Sequence, residues 1–188
     1  MSDKILWRQL KEGNHKALET VYRTHFSHLI NYGKRFSNDS ATVEDAIQEL
    51  FIELWNKRES LGETDAIKPY LLVSLRRKIF RSVKQIQKTV NDNEPTDYHF
   101  DAVLAIDEDI IGREIAIEQK QKLADAMKKL SHRQREVLYL KYQSNMDYEG
   151  ISEAMDINYQ SARNLVSKAI AALSKHLIIV LMIILLGQ

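Results

Sequence analysis

The stretch "DINYQSARNLVSKAIAAL", Asp156 to Leu173, carries two patterns at once. Apolar residues recur at Ile157, Ala162, Leu165, Val166, Ala169 and Leu173, the spacing of a helix with one buried face. Between them stand Tyr159, Gln160, Ser161, Arg163, Asn164 and Lys168. One side can pack on a core while the other offers amides, a hydroxyl and cations. Such a face can read a nucleic acid, or it can simply be wetted.

Working outward, Asp147 is placed to cap a preceding helix that turns Ile151, Ala154 and Met155 inward. The turn "MDIN" follows, and Asn158 is placed to cap the next helix. Two short helices joined by a tight turn have the layout of a helix-turn-helix. There the second helix enters the major groove with its N-terminal residues at base edges. Arg pairs with guanine, and Gln or Asn with adenine, through two hydrogen bonds each. An αα-hairpin in a bundle shows the same pattern with its polar face in water, so this stretch alone leaves both readings open.

The whole 188-residue chain narrows the class. It holds 6 Gly, 2 Pro and no Cys, which fits an all-α fold and excludes disulfides and thiolate metal sites. The six His residues have no metal-protease spacing. No Gly-rich phosphate loop, metal cluster or nucleophile–base pair is visible, so neither an enzyme nor a cofactor or small-molecule substrate is expected. The N-terminal stretch is too polar for a secretory signal, and the expected compartment is the cytoplasm.

Helical periodicity covers residues 3 to 37, broken by a turn at Gly13-Asn14, with Asn14 as N-cap. Ala17, Leu18, Val21, Tyr22, Leu29 and Ile30 form its apolar stripe. Ser40 or Thr42 can cap a helix from Val43 to about Lys57, and another is expected from Ile67 to about Gln87 with Pro69 in its first turn. The segment Asn91 to Ile110 then carries seven acidic residues and no Lys or Arg, the composition of a linker. Helix resumes near Ile111 and runs to Leu130. Ser131 and Gln134 have capping-box spacing at the start of the next helix. The expected organisation is an N-terminal helical module (residues 1–90), an acidic linker (91–112), a C-terminal helical module (113–176) and an apolar tail (177–188).

Two more segments bear on function. "IKPYLLVSLRRKIFRSVKQIQKTV", Ile67 to Val90, has Lys68, Arg76, Arg77, Lys78, Arg81, Lys84 and Lys88 and no acidic residue. Leu71, Leu72, Leu75, Ile79, Val83 and Ile86 make its buried face, which leaves a surface of one sign suited to a polyanion. In "TVEDAIQELFIELW", Thr42 to Trp55, the residues Val43, Ile47, Leu50 and Leu54 fall on one side. Asp45, Gln48, Ile52 and Trp55 fall near the other, where an Ile and a Trp on a polar face suit protein docking.

With these residues in view, the chain resembles the extracytoplasmic-function type of bacterial RNA polymerase sigma factor, in versions common in Bacteroidetes-like bacteria. "DAIQELFIELW" is similar to that family's D-x-x-Q-x-x-F signature helix, and the segment from Ser131 to Leu173 to its promoter-reading C-terminal module. The resemblance implies that Asp45, Gln48 and Phe51, extended by Ile52 and Trp55, bind the clamp helices of the polymerase's largest subunit. It implies that the segment from Leu61 to Ile67 captures a flipped base of the −10 element. The basic helix, with Arg76, Arg77, Lys78, Arg81 and Lys84, would lie along that element. Tyr159, Gln160, Ser161, Arg163, Asn164 and Lys168 would read the −35 element. The implied partners are core RNA polymerase (clamp helices and flap), promoter DNA and an anti-sigma factor, often membrane-borne in this family. The chain departs from the family in having Arg77 and Arg81 where Asn and Asp are usual, Ser152 for a usual Ala, and Asp156 for a usual turn Gly. The competing reading is a free helix-turn-helix regulator acting without polymerase, which leaves the Ile52/Trp55 face and the basic helix without a use.

Ten unbroken apolar residues, Leu177 to Leu186, fall short of the roughly 20 needed to span a bilayer. Packing on the C-terminal module or contact with another protein is the expectation for them.

Overall fold

In a computed structural model the described residues are 2–37, 39–88, 99–101 and 113–186, with side chains described outside 82–88, 113–120 and 176–186. The fold is all-α. It divides into two compact units, Met1–His99 with Glu153–Asp156, and Phe100–Ser152 with Ile157–Gln188. Apart from His99 to Asp101, the acidic linker lies outside the described residues.

The N-terminal unit contains α1 (Asp3–Lys11), α2 (His15–Gly33), α3 (Ser40–Asn56), a 3₁₀ turn (Arg58–Ser60) and α4 (Ile67–Lys88). Asn14 caps α2 as its sequence position suggested, accepting from the Lys16 and Ala17 N–H groups. Asp39, rather than Ser40 or Thr42, caps α3: its carboxylate takes the Ala41 N–H at 3.0 Å and the Thr42 hydroxyl at 2.6 Å. A carboxylate at a helix N-terminus gains from the helix dipole as well as the hydrogen bond. The inward row of α2 is Ala17, Val21, His25 and Leu29. Tyr22, one residue round from Val21, stays 37% exposed. On α4, Leu71, Leu72, Leu75 and Ile79 are buried as expected, while Val83 and Ile86 lie outside the described side chains.

Contacts distant in sequence close this unit. Trp7 is fully buried, donates its indole N–H to the Gly62 carbonyl at 2.8 Å and meets Tyr70 edge-on at 4.8 Å. Asp3 accepts the Ile67 N–H at 3.0 Å, so the first residue of α1 caps the first turn of α4. Lys11 pairs with Glu63. Between α2 and α3 the backbones approach closely at Gly33, where a Cβ would collide with Val43 Cγ1.

The C-terminal unit holds α5 (Arg113–Lys128), α6 (His132–Leu138), a π turn (Tyr139–Gln143), α7 (Tyr148–Met155) as far as Ser152, and α8 (Tyr159–Leu186). The capping box at Ser131 and Gln134 forms in both directions. Phe100, within the acidic stretch, is fully buried here. Its N–H donates to His132 Nδ1 at 2.8 Å, and its ring meets Tyr139 edge-on at 5.9 Å. The module boundary expected at 176 falls inside α8, which continues to Leu186, since no Gly or Pro interrupts the apolar run. How the tail's side chains pack lies outside the described residues. No helix among the described residues is long and apolar enough to cross a membrane.

Candidate polymerase and promoter surfaces

Helix α3 turns Val43, Ala46, Ile47, Leu50 and Leu54 into the core. By helical geometry Asp45, Gln48 and Ile52 then point outward, and all three are exposed, Ile52 by 60%. Phe51 sits at the edge, only 7% exposed, with its ring 5.0 Å from Tyr22. Trp55 is half-buried between His15, whose ring is 4.3 Å away, and the Arg58 guanidinium, 4.7 Å above the indole. Tyr22 also meets Phe26 at 5.0 Å. Sequence reading missed Tyr22 and Phe26 as companions of this face. Their signal was the i, i+4 aromatic pair on the flank of the α2 stripe.

The basic helix α4 divides its cations. Lys78 is drawn to Glu53 at 2.7 Å and Glu49 at 4.0 Å, which ties α4 to α3 and leaves only 16% of its side chain exposed. Hydrogen bonds from Lys57 and then Lys78 pull the Glu53 carboxyl down to about 2. Arg76 lies 4.3 Å over the Phe80 ring. Arg77 and Arg81 are exposed, and they line a groove with Lys57, Leu61, Tyr70 and Ser74. The expected base-capturing segment, Leu61 to Ile67, therefore borders the cations through Leu61. Lys84 is on α4, but its side chain lies outside the described residues.

Two local caps set the starts of α7 and α8. Asp147 accepts the Gly150 N–H at 2.8 Å, and Asn158 accepts the Ser161 N–H at 2.7 Å. Gly150 is costly inside a helix by up to roughly 1 kcal/mol. A Cβ there would lie 3.1 Å from both the capping Asp147 oxygen and Met146 Cε. Asp156 holds φ at 53°, the left-handed turn that Asp tolerates better than most residues. Beyond it, Ala162, Val166 and Ala169 are buried, while Tyr159, Gln160, Arg163, Asn164 and Lys168 are exposed and Ser161 half-exposed. Gln160 and Asn164 join side chain to side chain at 3.1 Å. Ser161, Asn164 and Lys168 share a groove with Arg133, from the first turn of α6. Arg133 is a cation beside the exposed face of α8 that no sequence pattern singled out.

Two family descriptions match the chain: "Sigma-70 region 2" over residues 21–89 and "Sigma-70, region 4" over residues 120–173. The chain is 22% identical over 184 residues to "ECF RNA polymerase sigma factor SigK" of Mycobacterium sp. (strain JLS), covering 92% of this chain and 89% of that protein. A protein of the same description from Mycobacterium sp. (strain KMS) is 22% identical over 171 residues, 85% of this chain and 82% of that one. Among solved structures, CnrH in complex with the cytosolic domain of CnrY superposes with a TM-score of 0.60 at 18% identity, covering 92% of this chain and 95% of that one. The sigma factor RpoE in complex with the anti-sigma factor NepR, from Bartonella quintana, gives 0.61 at 20% identity, covering 86% and 97%. Matched by the region 2 description over residues 21–89 and the region 4 description over residues 120–173, the chain belongs to the sigma-70 family and is a sigma factor of the extracytoplasmic-function type.

Proposed function

We propose that this alternative sigma factor holds core polymerase through the outward face of α3 and promoter DNA through α4 and α8. The observation that carries the docking site is Ile52, 60% exposed on a helix whose opposite side is fully packed. Asp45 and Gln48 stand beside it, with Trp55 and the Tyr22–Phe51 pair at the margin. An exposed aliphatic side chain framed by aromatic rings and polar groups is the anatomy of a protein interface centre. Phe51, being mostly buried, supports this face more than it presents itself. The clamp helices of the polymerase's largest subunit are the proposed contact.

On the DNA side, Arg77 and Arg81 attract the −10 phosphates, with Lys84 further along α4. Arg76 and Lys78 chiefly shape that surface. Tyr159, Gln160, Ser161, Arg163, Asn164 and Lys168 read the −35 element. The two modules divide at the acidic stretch, residues 1–90 taking the polymerase and the −10 element and 113–176 the −35 element. An anti-sigma protein, such as the one solved with Bartonella RpoE, would keep the chain from polymerase by covering one of these faces. A free regulator is disfavoured, because it gives the outward face of α3 no task.

Co-elution with bacterial core polymerase tests the proposal. The wild type is expected to co-elute, and Gln48→Ala/Ile52→Glu to be lost from the complex while its thermal melt is unchanged. A folded double variant that co-elutes as well as the wild type sinks the docking assignment. A wild type that ignores core polymerase yet binds duplex DNA returns the free-regulator reading.

A further inference from the structure

The start of the reading helix is braced by aromatic rings. Tyr148 and Tyr159 are the first residues of α7 and α8. Their rings meet edge-on, with centroids 5.9 Å apart and planes at 74°. The Lys141 ammonium lies 4.5 Å from the Tyr148 ring centroid and donates to the Met146 carbonyl at 3.3 Å. On the other side the Arg163 guanidinium is 6.0 Å from the Tyr159 ring centroid. A chain of cation, ring, ring and cation thus runs from the π turn to the first turns of α8. Tyr148 is half-buried within it, and Tyr159 remains 42% exposed.

Pinning an exposed ring in this way removes rotamer freedom before any partner arrives, so binding need not supply that ordering. The ring stands where a helix-turn-helix meets base edges. The neighbouring polar groups can serve the polar edges of guanine and adenine. What a ring adds is an apolar surface, and the apolar mark in the major groove is the C5-methyl of thymine.

We propose that Tyr159 reads a thymine methyl within the −35 element and that Tyr148, held under Lys141, is the positioning residue that sets its ring. This rests on the assignment of α8 as the −35 reader. The Tyr159 hydroxyl is not needed, whereas the edge contact from Tyr148 is.

The test uses holoenzyme, the full chain with core polymerase, on a promoter duplex selected by that holoenzyme from random sequences. Each thymine of the −35 element is replaced in turn by deoxyuridine, which removes the methyl and nothing else. One position should weaken wild-type binding by about fourfold, the worth of a buried methyl group. Tyr159→Phe and Tyr148→Phe should keep that discrimination. Tyr159→Ala and Tyr148→Ala should abolish it, with the salt dependence of binding unchanged because no phosphate contact is lost. Indifference of the wild type to deoxyuridine at every position overturns the proposal. So does loss of discrimination in Tyr159→Phe, or full discrimination in Tyr148→Ala. If Arg163→Ala also leaves selectivity intact, it is the assignment of α8 as reader that fails.

Discussion

The two units are closed by different kinds of polar contact. In the N-terminal unit the decisive ones bridge residues far apart in the chain, Trp7 to Gly62, Asp3 to Ile67 and Lys78 to Glu53. In the C-terminal unit those that shape the exposed face of α8 are short-range, Ser131 with Gln134, Asp147 with Gly150, Asn158 with Ser161 and Gln160 with Asn164, although the Phe100 N–H also reaches His132 across 32 residues. The proposed docking face draws on several helices and must be assembled by tertiary contacts. The proposed reading face is carried on one helix and can be set by its own caps. The first is therefore exposed to distant mutations and the second to neighbouring ones.

The largest effect should come from Trp7→Ala. It removes a fully buried indole and its bond to Gly62, a change that costs about 3–5 kcal/mol in a packed core. Trp55 is then the only tryptophan left, so its fluorescence in urea follows the N-terminal unit by itself. The midpoint should fall steeply, while Asn158→Ala leaves it in place. An unmoved midpoint in Trp7→Ala would break the comparison at its strongest point.

That contrast also explains what could be read from the sequence. The caps at Asn14, Asp147, Asn158 and the Ser131–Gln134 box are patterns of neighbours, and each forms. The inward side of α3 follows from period alone. What escaped was three-dimensional. Nothing in the residues around Asp3 announces that it caps a helix 64 positions later. Phe100 looked like part of a charged linker, yet it is buried against Tyr139. Lys78 counted as one cation among seven until α3 supplied its carboxylates. The candidate site divides the same way. The exposure of Ile52 was visible from the helical wheel, and the packing of Tyr22 from α2 against Phe51 was not.

Two cap deletions sharpen the comparison at a smaller scale. Asp3→Ala and Asn158→Ala each remove one side-chain acceptor from a helix start, a loss of about 1 kcal/mol. Asp3→Ala should lower the urea midpoint reported by Trp55 and spare −35 binding at saturating polymerase. Asn158→Ala should weaken −35 binding without moving that midpoint. Equal effects of both variants on both readouts would mean that the units do not fail separately.

A pH dependence should belong to the N-terminal unit. His25 lies in the inward row of α2, 8% exposed, and its Nδ1 has no hydrogen-bond partner. Burial lowers its pKa from the ordinary 6.5; Asp3 of α1 opposes this, and His28 of α2 and Lys68 of α4 reinforce it. The unfolded chain therefore takes up a proton at a pH where the folded chain does not. Stability from a neutral His25 is full above 6.5 and is lost as the pH falls through the folded value. Melting between pH 8 and 5 should show the wild type weakening and His25→Leu weakening less. Parallel curves would show that other groups set the acid response.

The smallest effect should come from Glu53→Gln. The Glu53 carboxylate is held at about 2 by Lys57 and Lys78, below its ordinary 4.5. Its stabilisation is fully present above 4.5 and disappears as the pH falls toward 2. Its side chain is 39% exposed, so solvent screening keeps the contribution under about 1 kcal/mol. The variant should melt slightly below the wild type at pH 7, with the gap narrowing at pH values below about 4.5 and shrinking in high salt. The more telling readout is polymerase binding. Glu53 joins α3 to α4 from the side of α3 that carries Leu50 and Leu54, away from Ile52. If the docking face is rigid because its rings and core hold it, Glu53→Gln should leave co-elution with core polymerase intact. A loss of co-elution out of proportion to the small stability change would mean that the α3–α4 ion pair itself orients Ile52. Long-range polar contacts would then set the binding surface of the N-terminal unit as well as its stability.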